Sequence, residues 1–318
     1  MKTIFLGTPE TAVPFLDELS RRTEVVAVVT QPDKPAGRGL GTEPTPVKRF
    51  SLERGLTVFQ PKKPSEIVAA LKALAPDLAV AVAYGRLLKA DALAVPKLGT
   101  LNVHFSLLPK YRGAAPVQWS LVFGEKRTGV TLFWLDEGMD TGPILLQRET
   151  EVDPHEDAPA LLGRLTGLGV GALADALAEI AAGRAARLPQ QGEPSAAPLI
   201  TREDAWIDLD RPAQEIHNLV RGMRIWPRAY LDLREGARLL VLKTVLSEER
   251  ASGGLPGKIV SVDRSRGFLV QCSSSSCLWF VDVQPEGKKP IRAADFLNGL
   301  RLGAGDFLPL QGHREDNV

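Results

Sequence analysis

The run DLAVAVAYG, from Asp77 to Gly85, decides the fold of the first half of the chain. Its middle residues are all apolar or aromatic, and a glycine follows them at once. An apolar run without polar alternation is typical of a strand that is covered on both faces of a sheet. Similar runs precede and follow it, and helical patterns such as PSEIVAALKALAP (64–76) separate them. This alternation predicts an α/β fold with a mostly parallel sheet, with ligands at the carboxyl ends of its strands.

The pattern changes after about residue 187. RLPQQGEPSAAPLIT (187–201) is rich in proline, glutamine and alanine, which favours a linker. Beyond it, short strand-like runs lie close together, from AYLDL (229–233) to CLWFVDV (277–283). They predict a small β-barrel, similar to the oligonucleotide-binding (OB) type. We therefore expect three segments: an α/β domain over 1–188, a linker over 189–207 and a β-barrel domain over 208–318.

Composition limits the classes of function. The chain has 318 residues and a formal net charge of +1, with 44% hydrophobic and 24% charged residues. These are ordinary values for a globular protein of two domains. Because the net charge is close to zero, any contact with nucleic acid must come from local basic patches. The sequence shows neither a membrane-length apolar run nor a leader, so we expect a cytoplasmic protein without membrane contact. We also expect a monomer.

Two cysteines, Cys272 and Cys277, flank four serines. This arrangement favours a serine-rich hairpin turn with one cysteine on each side. A disulfide between them is not expected in a reducing compartment, and an isolated pair lacks the further ligands that a zinc site needs. We predict no metal site in this chain, and we interpret His155, His217 and His313 as surface or structural residues.

Polar residues mark the end of one predicted strand, in LNVHFSLLPKYRGAAP (101–116). Asn102, His104 and Ser106 are spaced two apart, so they share one face of that strand, and a loop with proline and glycine follows. An amide can donate to a developing oxyanion, and an imidazole can move a proton near neutral pH. The pattern therefore indicates a site that lacks one more group, since a third side chain is usually needed to orient the imidazole.

The stretch LDEGMDTGPI (135–144) offers that third group at the end of another apolar run. Its candidates are Asp136 and Asp140, and two adjacent parallel strands would bring one of them to His104. An amide, an imidazole and a carboxylate without a Ser or Cys nucleophile indicate direct transfer of a group between bound donor and acceptor. The spacing alone leaves two structural interpretations open: a histidine that is only part of the core, and an Asp–Gly turn that is only a turn.

NVHFSLLPKYRGAAP together with DEGMDTG resembles the signature of the enzymes that transfer formyl groups from 10-formyltetrahydrofolate. That family carries N-x-H-x-S-L-L-P-x-x-R-G and, later, D-x-G-x-D-T-G. The resemblance implies a Rossmann-like formyltransferase fold, 10-formyltetrahydrofolate as the formyl donor, and a catalytic trio of Asn102, His104 and Asp140. The folate-binding residues that it implies are Ser106, Leu107, Leu108, Pro109, Leu88, Asp136 and Gly138.

Further stretches resemble the branch of this family whose acceptor is methionyl-tRNA. TQPDKPAGRG (30–39) resembles a loop that grips tRNA, and RGAAPVQWSL (112–121) carries the Ala-Ala-Pro of that branch. EIHNLVRGMRIWPRAY (215–230) and VQPEGKKPIRAADFLNG (283–299) resemble its second domain, which would bind tRNA. The resemblance implies formylation of the α-amino group of methionine on initiator methionyl-tRNA, in translation initiation. Lys34 and Arg38 are its implied tRNA contacts.

The first loop departs from the family pattern, and two other classes of function stay open. The first loop continues as GRGLGTEP where the family often has lysines, which leaves Lys34, Arg38, Lys48 and Arg49 to meet phosphates. A sugar-amine formyltransferase or a formyl-folate hydrolase would share the core and differ in the acceptor. A nucleic-acid-binding module on an inactive Rossmann-like scaffold would differ in class, and it would show no folate binding.

Overall fold

The apolar runs of the first half form strands in a computed structural model of the protein, which describes residues 1–36, 41–251 and 253–311. In chain order these strands are β1 (Lys2–Gly7), β2 (Glu24–Val29), β3 (Lys34–Ala36), β4 (Gly41–Glu43), β5 (Val58–Phe59), β6 (Leu78–Val82), β7 (Thr100–His104), β8 (Arg127–Trp134) and β9 (Ile144–Glu151). The helices up to residue 181 are α1 (Val13–Arg22), α2 (Pro46–Glu53), α3 (Pro64–Leu74), α4 (Ala90–Leu93), α5 (Pro116–Val122) and α6 (Ala158–Ala181).

The chain divides into two compact units. The first unit comprises residues 1–116, 127–152 and 161–198. The second unit comprises residues 117–126, 153–160 and 199–318. The domain boundaries that the sequence predicts, with a linker over 189–207, stay a prediction.

The main sheet of the first unit has the strand order β5-β2-β1-β6-β7-β8-β9. β1 pairs in parallel with β2 and β6, and the pairs β2–β5 and β6–β7 are parallel as well. The predicted mostly parallel α/β sheet is confirmed. All five residues of β6 are buried, because a strand inside such a sheet is covered on both faces. Because β6 and β7 are parallel, their carboxyl ends lie side by side at the same end of the sheet.

The prediction that parallel neighbours carry His104 and the aspartates is wrong. β8 runs antiparallel to β7, and β9 runs antiparallel to β8. The loop 135–143 is too short for a helical crossover, so β8 and β9 form an antiparallel hairpin, and this hairpin joins the sheet with β8 antiparallel to β7. His104, at the end of β7, lies opposite Thr131, whereas Trp134, at the end of β8, lies opposite Leu101. The chain therefore leaves β8 at the other end of the sheet from His104. The loop after β8 must fold back to contribute to a site at His104.

The long apolar stretch near residue 170 forms one helix, α6, of 24 residues. By length and composition α6 could cross a membrane, and it is the helix in the described ranges that meets this criterion. In its most apolar window 39% of the residues are buried inside the protein. The core helix of a globular protein meets the same criterion, so a single helix of this kind is weak evidence for a membrane span.

The second unit is built on antiparallel strands. Its elements in chain order are α7 (Ala213–Gly222), β10 (Tyr230–Asp232), β11 (Arg238–Arg250), β12 (Ile259–Asp263), β13 (Gly267–Gln271), β14 (Ser276–Pro285), β15 (Ile291–Arg292) and α8 (Ala293–Leu300). The strand order is β10-β11-β14-β13-β12, with β15 beside β14, and every pair is antiparallel. The predicted change to a β domain in the second half is confirmed as an antiparallel sheet, which the helices α7 and α8 accompany.

The serine-rich segment is the hairpin between β13 and β14. The Cys272 N–H donates to the Ser276 carbonyl oxygen at 2.8 Å, and Gln271 pairs with Cys277. Both cysteines are free and buried. Burial raises the pKa of the Cys272 thiol to about 12, so it stays protonated near neutral pH. These cysteines pack as small apolar residues in the hairpin.

Candidate active site

His104 ends β7, and its ring is held on both sides. Its Nε2 lies 2.8 Å from the carbonyl oxygen of Tyr111, and its Nδ1 lies 3.6 Å from Oδ2 of Asp140. Because a carbonyl oxygen can only accept a hydrogen bond, Nε2 carries the proton in the neutral ring. The lone pair of Nδ1 therefore faces the Asp140 carboxylate. Nδ1 is the atom at which this imidazole can take up a proton.

The His104 imidazole is neutral near pH 7. Its side chain is only 7% exposed, and burial lowers the pKa of His104 below its ordinary value. The charge of Asp140 and the hydrogen bond to the Tyr111 carbonyl act in the opposite direction, with smaller effect. A neutral imidazole with an adjacent carboxylate is suited to accept a proton and to hold the resulting charge.

Asp140 reaches His104 because the loop 135–143 folds back along the sheet. The backbone of Asp140 is left-handed, with a φ of 54°. Its Oδ2 accepts a hydrogen bond of 2.7 Å from the N–H of Gly113, in the turn that follows β7. At 3.6 Å from Nδ1 the carboxylate is too far away to orient the neutral ring by a direct hydrogen bond. The Tyr111 carbonyl has that role here, and Asp140 supplies charge.

Asn102 lies two residues before His104 on β7 and is half-buried. In the part of the chain that the structure describes, its side-chain amide makes no hydrogen bond. Buried polar groups in folded proteins normally find partners. A partly accessible amide without one, beside an imidazole, can donate to a ligand.

The predicted folate loop Ser106–Pro109 is a tight turn with a cis peptide bond between Leu108 and Pro109. The Ser106 hydroxyl is fully buried and donates to the Lys110 carbonyl oxygen at 2.6 Å, so it shapes the turn. Leu107 is partly exposed, whereas Leu108 and Pro109 are buried. Contact of this loop with folate stays a prediction, and Leu107 offers its accessible apolar surface.

The other predicted folate residues lie in two places. Leu88 is buried in a core cluster against which Leu135 packs. Asp136 is exposed, and its Oδ1 accepts hydrogen bonds from the Gly138 N–H at 3.1 Å and from the Thr141 hydroxyl at 2.7 Å. A Cβ at Gly138 would lie 2.0 Å from Oγ1 of Thr141, so a larger residue here would displace the hydroxyl that donates to Asp136. Asp136 and Gly138 thus shape the loop that presents Asp140, and their contact with folate stays a prediction.

The basic residues of the first loop differ in their availability. Lys34 begins β3 and is exposed. Arg38 lies outside the described residues. The Lys48 ammonium forms an ion pair of 2.5 Å with Asp33 and donates to Gln60 at 2.8 Å. Its charge is therefore already paired within the first unit. Lys34 is therefore the predicted tRNA contact that the structure describes.

Metal ligation has no candidate group in the ranges 1–36, 41–251 and 253–311. No cluster of three or more His, Cys, Asp or Glu side chains there could hold an ion. His155 is exposed, and Nδ1 of the buried His217 lies 2.9 Å from the Thr244 hydroxyl. Independence of metal stays a prediction about the reaction.

Two residues of the site could not be found from the sequence, Gln190 and Ser195. Both lie in the stretch whose composition favours a linker. Gln190 Nε2 donates to the carbonyl oxygen of Asp140 at 2.8 Å, and Ser195 Oγ accepts from the Tyr111 N–H at 2.9 Å. These contacts join residues 50 and 84 positions apart, and a lone Gln or Ser in a proline-rich stretch carries no periodic signal.

Comparison with known proteins identifies the family. The family model described as formyl transferase matches residues 1–177, and that described as formyl transferase, C-terminal domain, matches residues 199–301. The chain belongs to the formyl transferase family. The resemblance that the motifs show is thereby confirmed, and this is a formyl-transfer enzyme.

Curated relatives in this family match the chain over nearly its whole length. A methionyl-tRNA formyltransferase from Elusimicrobium minutum is 43% identical over 332 residues, covering 97% of this chain and 99% of the relative. A methionyl-tRNA formyltransferase from Geotalea daltonii is 42% identical over 319 residues, covering 99% of each chain. Within the formyl transferase family, the chain thus groups with the methionyl-tRNA formyltransferases.

Solved structures with the same fold are more distant in sequence. A sugar 3N-formyl transferase, WlaRD, solved with dTDP and 5-N-formyl-tetrahydrofolate, has a TM-score of 0.64 at 19% identity, covering 91% of this chain and 99% of its own. HypX from Aquifex aeolicus, solved with tetrahydrofolic acid, has a TM-score of 0.63 at 18% identity, covering 99% of this chain and 51% of its own. At these identities the likeness concerns the fold.

Proposed function

We propose that this enzyme transfers the formyl group of 10-formyltetrahydrofolate to the α-amino group of methionine on initiator methionyl-tRNA. The observation that carries the chemistry is the unpartnered amide of Asn102, within the described residues, beside the neutral imidazole of His104, whose Nδ1 faces the Asp140 carboxylate at 3.6 Å. Relatives that are 42–43% identical over nearly the full length carry the name of this reaction, which supports the acceptor. The enzyme acts in the cytoplasm, as a monomer, during translation initiation.

Formyl transfer between two nitrogens makes three demands on the protein. The acceptor amine must be neutral, and a free α-amino group titrates at about 8, so a modest base is sufficient. As the new C–N bond forms, negative charge develops on the formyl oxygen, and it is lost when the bond to N10 breaks. One proton leaves the amine and one arrives at N10, so a single group that accepts and then donates a proton balances the reaction.

Asn102 and His104 meet these demands. The Asn102 amide donates to the formyl oxygen as its charge develops. His104 takes the proton of the attacking amine at Nδ1 and returns it to N10. The imidazolium that exists between these steps lies between the Asp140 carboxylate and the Tyr111 carbonyl, which both stabilise its charge.

The folate donor would lie against the loops that surround this trio. Two solved structures with the same fold are described with tetrahydrofolic acid and with 5-N-formyl-tetrahydrofolate, which supports a folate as the donor. In this chain Leu107 offers apolar surface, while Ser106, Leu108 and Pro109 hold the turn in shape. Leu88, Asp136 and Gly138 complete the proposed walls of the folate pocket.

The acceptor is tested by offering folate labelled in its formyl carbon together with one acceptor at a time. The three acceptors are charged initiator tRNA, a nucleotide-linked amino sugar and water alone. We expect label on the methionine of the tRNA. Label on the amino sugar, or formate released at the same rate without tRNA, would instead identify a sugar formyltransferase or a formyl-folate hydrolase. Absence of folate binding would leave the nucleic-acid-binding alternative.

The lowered pKa of His104 predicts the pH at which this base becomes charged. A base with a lowered pKa stays neutral to lower pH, so the imidazole should titrate below its ordinary value of about 6.5. The measurement is nuclear magnetic resonance of His104 against pH in the substrate-free protein, because the acceptor amine, which titrates at about 8, adds its own decline to a profile of kcat. A midpoint at or above the ordinary imidazole value would contradict the buried, neutral state of the base.

Lys34 predicts a salt-dependent contribution to tRNA binding. Each phosphate neutralised by a lysine releases counterions, so Lys34→Ala should weaken tRNA binding and reduce the slope of log affinity against log salt by about one. The matched control is Lys72→Ala, which removes an exposed lysine on α3. An unchanged slope in the Lys34 variant would remove this residue from the tRNA interface.

A further inference from the structure

Two residues with left-handed backbones hold the His104 ring. Tyr111 has a φ of 60° and Asp140 a φ of 54°. Tyr111 presents its carbonyl to Nε2, and Asp140 presents its carboxylate to Nδ1. Most residues other than glycine are disfavoured in this conformation, aspartate less than most, and contacts with surrounding groups help to hold them there. The arrangement of the base therefore depends on what fixes these two residues.

Gln190 fixes the Asp140 turn. Its Nε2 donates to the carbonyl oxygens of Asp140 and Gly142, at 2.8 and 2.9 Å. Its Oε1 accepts from Nη2 and Nε of Arg112, at 2.7 and 3.2 Å. Both donor hydrogens and both acceptor sites of this one amide are thus used. Gln190 joins the turn that carries Asp140 to the turn that follows β7.

The segment around Gln190 also holds the second left-handed residue. Ser195 Oγ accepts from the Tyr111 N–H at 2.9 Å, and the Ser195 carbonyl accepts from the Arg112 N–H at 2.8 Å. The Ala197 N–H donates to the Arg112 carbonyl at 2.6 Å. Residues 190–197 therefore make hydrogen bonds to both residues that flank the imidazole. Ser195 binds Tyr111, and Gln190 binds Asp140.

We propose that Gln190 is a positioning residue for the reaction, which keeps the Asp140 carboxylate beside Nδ1 of His104. The proposal rests on the proposed function for the role of His104 as the base. Without Gln190 the carbonyls of Asp140 and Gly142 lose their shared donor, and the Gly113 N–H remains as the donor to the Asp140 carboxylate. The turn then relaxes, and the carboxylate moves away from the ring.

Movement of the Asp140 carboxylate should change the pKa of His104 in one direction, which can be measured. Asp140 is the charged group that acts on His104, and its charge raises the pKa of the imidazole against the effect of burial. The ring of Phe133 packs edge-on at 6.4 Å and adds no charge. A carboxylate that moves away therefore lets the pKa of His104 fall further.

The test compares Gln190→Met with Gln191→Met, since Gln191 is the exposed neighbour. Nuclear magnetic resonance follows the titration of the His104 imidazole in the substrate-free protein, and kinetics give kcat and KM. For Gln190→Met we expect a titration at lower pH than in the wild type. We also expect a loss of about 10- to 100-fold in kcat, as for a misplaced catalytic group, with an unchanged KM for folate. Gln191→Met should match the wild type in all three.

Wild-type titration and wild-type kcat in a folded Gln190→Met protein would overturn the proposal. Should that variant fail to fold, Gln190→Glu keeps the acceptor for Arg112 and removes the donors to Asp140 and Gly142. It should lose kcat with KM retained, and a wild-type kcat there would overturn the proposal as well. The His104 titration is measured without substrate. If the wild-type protein does not formylate tRNA, the proposed function is rejected, and the titration of the Gln190 variant still tests the positioning role.

Discussion

Replacing His104 with glutamine should lower kcat for formyl transfer by about 10²- to 10⁴-fold, the range that a positioned general acid–base contributes. Glutamine retains an N–H that can donate to the Tyr111 carbonyl, so the loop after β7 keeps a partner. It provides no basic atom in place of Nδ1. The attacking amine then lacks a group that takes its proton beside the Asp140 carboxylate.

The measurement is kcat and KM with charged initiator tRNA and saturating folate. His155→Gln is the matched control, because it makes the same change at an exposed histidine and should leave kcat unaltered. A His104→Gln enzyme with kcat within a few fold of the wild type would remove His104 from the chemistry, whatever its effect on KM.

Replacing Asn102 with alanine should lower kcat by about 10²- to 10³-fold, the usual cost of losing one oxyanion donor. The amide of Asn102 has no hydrogen-bond partner within the described residues, so its removal breaks no hydrogen bond there. The loss should therefore appear when charge develops on the formyl oxygen, and less in the affinity for the folate ground state.

The dissociation constant of a non-reactive folate, measured beside kcat, separates these two effects. We expect binding close to the wild-type value in Asn102→Ala. A variant with weakened folate binding and an undiminished kcat would assign Asn102 to substrate binding, and the proposed oxyanion role would be wrong.

Much of the fold could be predicted because its signals are local. DLAVAVAYG is apolar through its middle, and the strand β6 that it forms is buried at every residue. The serines between Cys272 and Cys277 turn the chain, as their composition suggests. The change from helix-and-strand alternation to short strands after residue 207 corresponds to the antiparallel sheet of the second unit. Each of these features depends on neighbouring residues in the sequence.

The direction of β8 could not be predicted in this way, because an apolar run has the same periodicity in parallel and antiparallel pairing. The same holds for the details of the site. The sequence indicates Asn102, His104 and an aspartate, but the partner of Nε2 is a backbone carbonyl, which every residue carries. Gln190 meets Asp140 from 50 positions away, and only the folded chain brings these two residues together.

The central claim is that Asn102 and His104 converge on one formyl group beside a bound folate, and a crystal structure with a non-reactive 10-formyl folate analogue tests it most directly. The account predicts the formyl oxygen at about 2.7–3.1 Å from the Asn102 amide nitrogen, as for an oxyanion donor, with N10 and the formyl carbon on the side of His104 Nδ1. A formyl group bound out of reach of both side chains would contradict it.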